Sequence, residues 1–317
     1  MDINIITSRI IYLGIFVLLG FFGVLLKYIK QSASEGISTI LTKFCLPCLV
    51  ITGFTSFDLN LDRLKSGLLI LITAYVLIYI LYLLGKCFAK ILGLTGYTAS
   101  AHAFLTACGN VSFMGYPIIT AVLGAEGLYY AMFFTLANDM VVWTFGVISL
   151  TKGSNKKNGN LLLNLLNPNT LSLVGGFILM VMGIKIPSVL FEPMQALGNC
   201  TVPLSMFFIG MTIASIKPAK FLNLWKSLFI VLIKMLVMPV LLIFIFSFLR
   251  QFNIMPDVAF IASILQVAVP SGTAYAIISK TYGGDYEYAS QCVFITTVLS
   301  FVTIPFIYYL IYQLGSF

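Results

Sequence analysis

Charge is scarce in this sequence: Asp, Glu, Lys and Arg make up 9% of 317 residues, where an ordinary soluble domain has about 25%. So few charges cannot coat a soluble surface, and 60% of the residues are apolar, with a mean hydropathy of +1.05. Histidine occurs once, and the chain has no Walker loop, no paired catalytic carboxylates and no metal-spaced ligand cluster. ATP-driven transport, hydrolysis and metal chemistry therefore find no support, and an embedded enzyme or sensor is disfavoured. Six cysteines (45, 48, 87, 108, 200, 292) lie in or beside apolar runs. Cys45-Leu-Pro-Cys48 has redox spacing, but it stands in a hydrophobic helix without a βαβ context. Met1-Asp-Ile-Asn lacks a basic n-region, so the first apolar run is expected to belong to the fold.

A bilayer core of about 30 Å takes roughly 20 apolar residues as helix. Apolar runs predict ten spans, at 8–28, 36–56, 66–90, 99–122, 127–150, 168–185, 193–215, 224–249, 257–280 and 287–313. The one sizeable connector, 151–167, begins with a polar stretch and ends in a leucine-rich stretch that reads as a short interfacial helix. The net charge of +8 comes from 18 Lys+Arg against 10 Asp+Glu. On a soluble chain that excess would suggest nucleic acid. Here the basic residues sort by side, which removes nucleic acid as a partner. Lys27, Lys30, Lys86, Lys90, Lys152, Lys156, Lys157, Lys217, Lys220, Lys226 and Lys280 fall on one set of loops, and Arg9, Arg63, Lys65, Lys185 and Arg250 on the other. The positive-inside rule then puts both termini outside the cell membrane and 151–167 in the cytoplasm. Lys43 and Lys234 fall within spans.

Five spans before the connector and five after it make two five-helix repeats of opposite orientation, 1–150 and 168–317. Weak internal similarity agrees: Cys45-Leu-Pro matches Thr201-Val-Pro, and Tyr129-Tyr-Ala matches Glu287-Tyr-Ala, at offsets of 156 and 158 residues. Inverted repeats are a mark of alternating-access transporters, which bind substrate near the midplane between discontinuous helices. The fourth and ninth spans fit that description. They read Gly109-Asn110-Val-Ser112-Phe-Met-Gly-Tyr-Pro117 and Gln266-Val-Ala-Val-Pro270-Ser271-Gly272-Thr273. Proline removes a backbone donor and glycine weakens a helix. Freed backbone groups are tolerated at membrane depth only in protein or beside a wet cavity. Both spans are therefore expected to break and cross at the midplane.

Those residues carry a resemblance. Gly109-Asn110 with Gly115-Tyr-Pro117, Trp143-Thr-Phe-Gly146, Leu166-Asn-Pro168, Pro203-Leu-Ser-Met with Ile209-Gly210, and Pro270-Ser-Gly occur in an order that resembles the auxin efflux carrier family. The architecture is distantly similar to the bile-acid sodium symporters, and the lysine-, Ile- and Leu-rich composition suits a bacterial member. The resemblance implies a scaffold domain of helices 1, 2, 6 and 7, often the homodimer face, and a transport domain of helices 3–5 and 8–10. It also implies a small organic anion as substrate, a mono- or dicarboxylate. The plant carriers have asparagine in both broken helices. Here the ninth offers Gln266, Ser271 and Thr273 instead, which sets auxin itself aside.

A carboxylate at such a crossing needs donors and positive potential, which half-helix starts supply. The substrate-binding candidates are Gly109, Asn110, Ser112, Pro117, Gln266, Pro270, Ser271, Gly272 and Thr273. Any single hydroxyl among them also has the alternative of bonding its own helix. Asp139, with Asn138, stands mid-span among apolar residues. An ionised carboxylate there costs roughly 2.5–3.5 kcal/mol, so the pair is read as a proton or sodium-ion coupling site. Thr296-Thr297 occupies the matching offset in the second half. Lys43, its repeat equivalent Asn199 and the single His102 are accessory candidates: Lys43 reads as snorkelling or anion-attracting, His102 as a pH sensor in an inner vestibule. Lys234, similarly placed in the eighth span, reads the same way as Lys43, with snorkelling ahead of an anion-attracting role. Asn110-Val-Ser112 and Asn199-Cys-Thr201 fit the glycosylation sequon but lie within spans. No cofactor is expected beyond the coupling ion. A uniporter or channel-like facilitator, or an amino-acid transporter of the same fold, is the alternative.

Overall fold

The computed structural model describes residues 3–146, 167–215, 224–282 and 284–314. Among these the regular structure is helical, with no strand. The leucine-rich end of the connector, with its expected interfacial helix, lies outside the described residues. In chain order the helices are α1 (Ile3–Leu25), α2 (Ala33–Thr55), α3 (Leu61–Ile91), α4 (Gly96–Ala107) and α5 (Val111–Gly146). They continue as α6 (Pro168–Val181), α7 (Ser188–Ser215) and α8, which runs from Leu224–Ile230 through Val231–Val237 into Met238–Arg250. The last three are α9 (Asp257–Ala268), α10 (Thr273–Tyr282) and α11 (Tyr286–Leu314).

Local chemistry accounts for the ends and bends. Asn167 Oδ1 accepts from the Thr170 N–H at 3.0 Å, and Pro168 follows at the first helical position, where its missing donor does no harm. Asn60 Oδ1 accepts from the N–H groups of Asp62 (2.9 Å) and Arg63 (3.0 Å) to start α3. Helix α5 turns sharply at Gly124, with φ 66° and ψ −155°, a backbone state that glycine adopts without a Cβ penalty. That turn falls where the apolar pattern separates the fourth span from the fifth. Three stretches of wide, π-helical turn (Leu41–Cys45, Val111–Gly115 and Val231–Val237) each end two residues before a proline, Pro47, Pro117 and Pro239. A proline leaves the carbonyl four residues back without its donor, and the preceding turn widens around it.

Six helices among the described residues are long and apolar enough to cross a membrane, with mean hydropathies from 1.4 for Val111–Gly146 to 3.0 for Trp225–Arg250. Shorter apolar helices add Ile11–Leu25, Pro168–Val181 and Asp257–Ala268. Large side chains such as Leu18 and Phe22 on α1, Ile72 and Val76 on α3, and Phe244 and Phe248 on α8 lie outward. Outward apolar faces on this scale belong in lipid rather than water.

The chain forms two compact units, each drawn from both sequence halves. Unit 1 comprises 1–67, 112–132 and 166–217; unit 2 comprises 68–111, 133–165 and 218–317. In unit 1, α1 and α7 touch backbone to backbone. A Cβ on Gly20 would lie 2.0 Å from the Phe207 carbonyl oxygen, and one on Gly210 would lie 1.9 Å from that of Val17. Small residues at a helix crossing bring the axes together, the usual route to packing in lipid. Phe54, Phe57, Tyr129 and Phe177 form an edge-on ring cluster in the same unit. Unit 2 holds α4, the end of α5, α8 to α11 and most of α3, and it contains both helix breaks.

Candidate functional site

Two helices stop in mid-course in unit 2. Helix α4 ends at Ala107 and α5 begins at Val111; α9 ends at Ala268 and α10 begins at Thr273. The two extended pieces lie antiparallel, Gly109 opposite Ser271. The Asn110 N–H donates to the Pro270 carbonyl at 2.8 Å, and the Gly272 N–H donates to the Cys108 carbonyl at 3.1 Å. Backbone that would be orphaned at this depth is thus satisfied by the other break. Glycine is needed at 272: a Cβ there would stand 2.9 Å from the Gly109 oxygen.

The remaining donors are capped from the following long helices, and the caps mirror each other. The Gly109 N–H donates to Asn138 Oδ1 at 3.1 Å, and the Ser271 N–H donates to Thr296 Oγ1 at 3.2 Å. Asn138 and Thr296 stand 158 residues apart, the offset that relates the repeats. The Thr296 hydroxyl donates back to Cys292 at 2.8 Å, which leaves its lone pairs facing the break. Asn138 therefore serves the break itself.

These bonds revise two expectations. Ser271 was a candidate substrate donor, but it is fully buried and its hydroxyl donates to the Leu105 carbonyl at 2.7 Å. It bonds neither its own helix nor a free space; it ties α10 to α4. Backbone donors were expected at the half-helix starts; the N–H groups of the breaks themselves, on Gly109, Asn110, Ser271 and Gly272, are all engaged within the protein. Asn110 differs, because its side chain is buried yet makes no hydrogen bond among the described residues. Gln266 is buried in the last turns of α9, Pro270 supplies the carbonyl that accepts from Asn110, and Thr273 is half-buried at the start of α10. Asp139 follows Asn138 and lies within electrostatic range of Cys108 at the first break.

The other candidates divide between the units. Ser112 and Pro117 belong to unit 1, as do Lys43 and Asn199, whose side chains are exposed. His102 is not a vestibule group: it is 1% exposed, with Nδ1 2.7 Å from the Tyr288 hydroxyl. Asp285, which accepts from Thr98 Oγ1 and caps Tyr288 N–H at 3.0 Å, completes a polar tie between α4 and α11.

Lys234 is the residue that sequence reasoning ranked too low, with snorkelling placed first. Snorkelling would leave its ammonium exposed, but the residue is 1% exposed, and Nζ has no hydrogen-bond partner among the described residues. A Cβ built on Gly109 would stand 3.2 Å from that nitrogen, so the ammonium sits against the first break. The signal was available as depth. Lys234 lies nine residues into Trp225–Arg250, roughly 14 Å along a helix.

Comparison with known proteins agrees with this architecture. The family described as membrane transport protein matches the chain twice, over residues 5–160 and again over 159–308. The chain belongs to this family of membrane transporters, that of the auxin efflux carriers. It is a multi-pass membrane protein and a transporter rather than an enzyme. It is 25% identical to an uncharacterized transporter of Methanocaldococcus jannaschii over 300 residues, 92% of this chain and 94% of that one. A second uncharacterized transporter, from Methanothermobacter thermautotrophicus, is 22% identical over 303 residues, 94% of this chain and 96% of that one. A putative malonate transporter of Rhizobium meliloti is 24% identical over 246 residues, 75% of this chain and 74% of that one.

Proposed function

We propose that the protein is a secondary active transporter that moves a small mono- or dicarboxylate across the cell membrane by alternating access, coupled to protons or sodium. The observation that carries this reading is the pair of broken helices bridged at Gly109 and Ser271 and capped by repeat-related residues. Breaks of this kind accompany midplane binding sites in transporters built from inverted repeats. A channel would be expected to distribute polar groups along a pore, whereas here they gather at one crossing. The name of the Rhizobium relative, a putative malonate transporter, favours a carboxylate over the amino-acid alternative. In this reading the chain crosses the membrane ten times with both termini outside. Helices 1, 2, 6 and 7 serve as a scaffold and dimer face, and the rest move. Asn110 donates to the substrate, and Asp139 takes the coupling proton or sodium ion.

The test is a thermal-stability screen of purified protein against carboxylates and amino acids, at two pH values, with and without sodium. A carboxylate is expected to raise the unfolding midpoint of the wild type, and Asn110→Ala is expected to lose that shift. Stabilisation by amino acids alone would refute the substrate class.

A further inference from the structure

The crossing lacks one thing that an anion site needs. Its four break N–H groups are engaged by the Pro270 and Cys108 carbonyls, Asn138 and Thr296, which leaves to the backbone only the partial charge of the half-helix starts. A full positive charge has to come from a side chain. Among the buried residues of unit 2 one cation stands at the break, Lys234.

We propose that the Lys234 ammonium is the positive pole of the substrate site, holding one carboxylate of the transported anion against the Gly109 break. This deepens the carboxylate-transporter reading above and rests on it. Three observations support it independently. First, Nζ is buried without a hydrogen-bond partner among the described residues, and a buried cation with open donors calls for an anion. Second, the ammonium stands where residue 109 has no side chain, 3.2 Å from the position of an absent Cβ. Val269 Cγ2 stands 2.7 Å from the same point, so glycine at 109 is what lets the break lie against both the ammonium and that valine. Third, Lys234 lies inside the wide turn Val231–Val237 ahead of Pro239. Such an insertion re-aims a side chain relative to a regular helix and is frequent at functional sites.

The placement also sets specificity. Asn110, next along the break, offers an amide that donates without charge, so ammonium and amide together suit a carboxylate. An amino-acid zwitterion would bring its own ammonium close to Lys234, and like charges at short range oppose binding. Anions are therefore preferred over zwitterions of the same size. Cys108 lies within electrostatic range of both Lys234 and Asp139. A structural Lys234–Asp139 attraction in the empty protein is thus the rival explanation, and the experiment has to separate the two.

Full-length wild type, Lys234→Met and Lys234→Arg would be titrated in detergent with malonate, acetate, malonamide and alanine, and melted without ligand. The wild type is expected to bind malonate and acetate over malonamide and alanine. The Met variant is expected to lose malonate affinity by roughly thirtyfold or more, while Arg retains most of it. Without ligand the Met variant should melt no lower than wild type, because an unpaired buried charge has been removed. Malonate affinity unchanged in the Met variant would overturn the assignment. So would a Met variant too unstable to purify, since the ammonium would then be holding the empty fold together. If the wild type itself bound none of the anions, the carboxylate reading would fall first, and that outcome is distinct from a failure of Lys234 alone.

Discussion

Glycine brings backbones together in both units, but in different settings. In unit 1 it lies within continuous helices: Gly20 and Gly210 let α1 and α7 meet at carbonyl distance, and the neighbourhood is apolar. Unit 2 has such a contact too, Gly85 on α3 against Ala103 on α4, but it also has glycine where helices stop: Gly272 fits under the Gly109 oxygen only because it has no side chain. The first arrangement is packing that any close helix pair in lipid can use. The second exposes backbone that must be answered by other backbone, by Asn138 and by Thr296. On the proposed function, the arrangement confined to unit 2, glycine at a helix break, marks the part that handles a ligand.

The largest expected effect tests that difference directly. Gly272→Ala should force the two breaks apart and reduce carboxylate transport to background, with a loss of about 1–3 kcal/mol of stability from overpacking. Gly210→Ala should lower the melting temperature at least as much, yet leave the ligand affinity of the folded fraction unchanged. Loss of affinity in folded Gly210→Ala protein, measured by titration, would erase the contrast.

Next come the caps. Asn138→Ala and Thr296→Val each strand one buried N–H, at about 1–3 kcal/mol. Because the caps are related by the repeat, the two variants should destabilise to a similar extent in thermal melts. A loss confined to one of them would show that the two breaks are not equivalent.

Asp139→Asn should spare folding and ligand binding but flatten the dependence of transport on pH or sodium, read in proteoliposomes with imposed gradients. Unchanged dependence removes Asp139 from coupling.

The smallest effect lies in a turn of unit 1. Lys185 donates to Asp58 and holds its carboxyl below the ordinary range, chiefly through that hydrogen bond. A depressed folded value means the contribution is present at neutral pH and fades as pH falls through it. Both side chains are largely exposed, so Asp58→Asn should shift the neutral-pH melting temperature only slightly and leave transport as it was. A marked drop in the melting temperature would mean the pair does more than trim a surface turn.

The residues differ in how far they could be read from sequence. Helix positions follow from runs such as 224–249, because lipid demands length and apolarity and little else. The breaks at 108–110 and 269–272 follow from Gly and Pro recurring at matched places. Bond partners do not follow, because hydroxyl and amide chemistry permits several. Ser271 was open to a ligand or to its own helix, and its hydroxyl instead donates to Leu105 of a helix far off in sequence. His102 looked shallow because it is near a span end, although Tyr288 encloses it from a distant part of the chain. Lys234 was obscured by the flexible lysine stem, which can reach an interface in one context and stay buried in another.

The central claim is that the crossing in unit 2 carries a carboxylate by alternating access. Counterflow in proteoliposomes tests it most directly: labelled malonate outside, with and without unlabelled malonate inside. Internal malonate is predicted to accelerate uptake in wild type and to have no effect in Gly272→Ala. Uptake indifferent to internal substrate, accompanied by channel-like conductance, would contradict it.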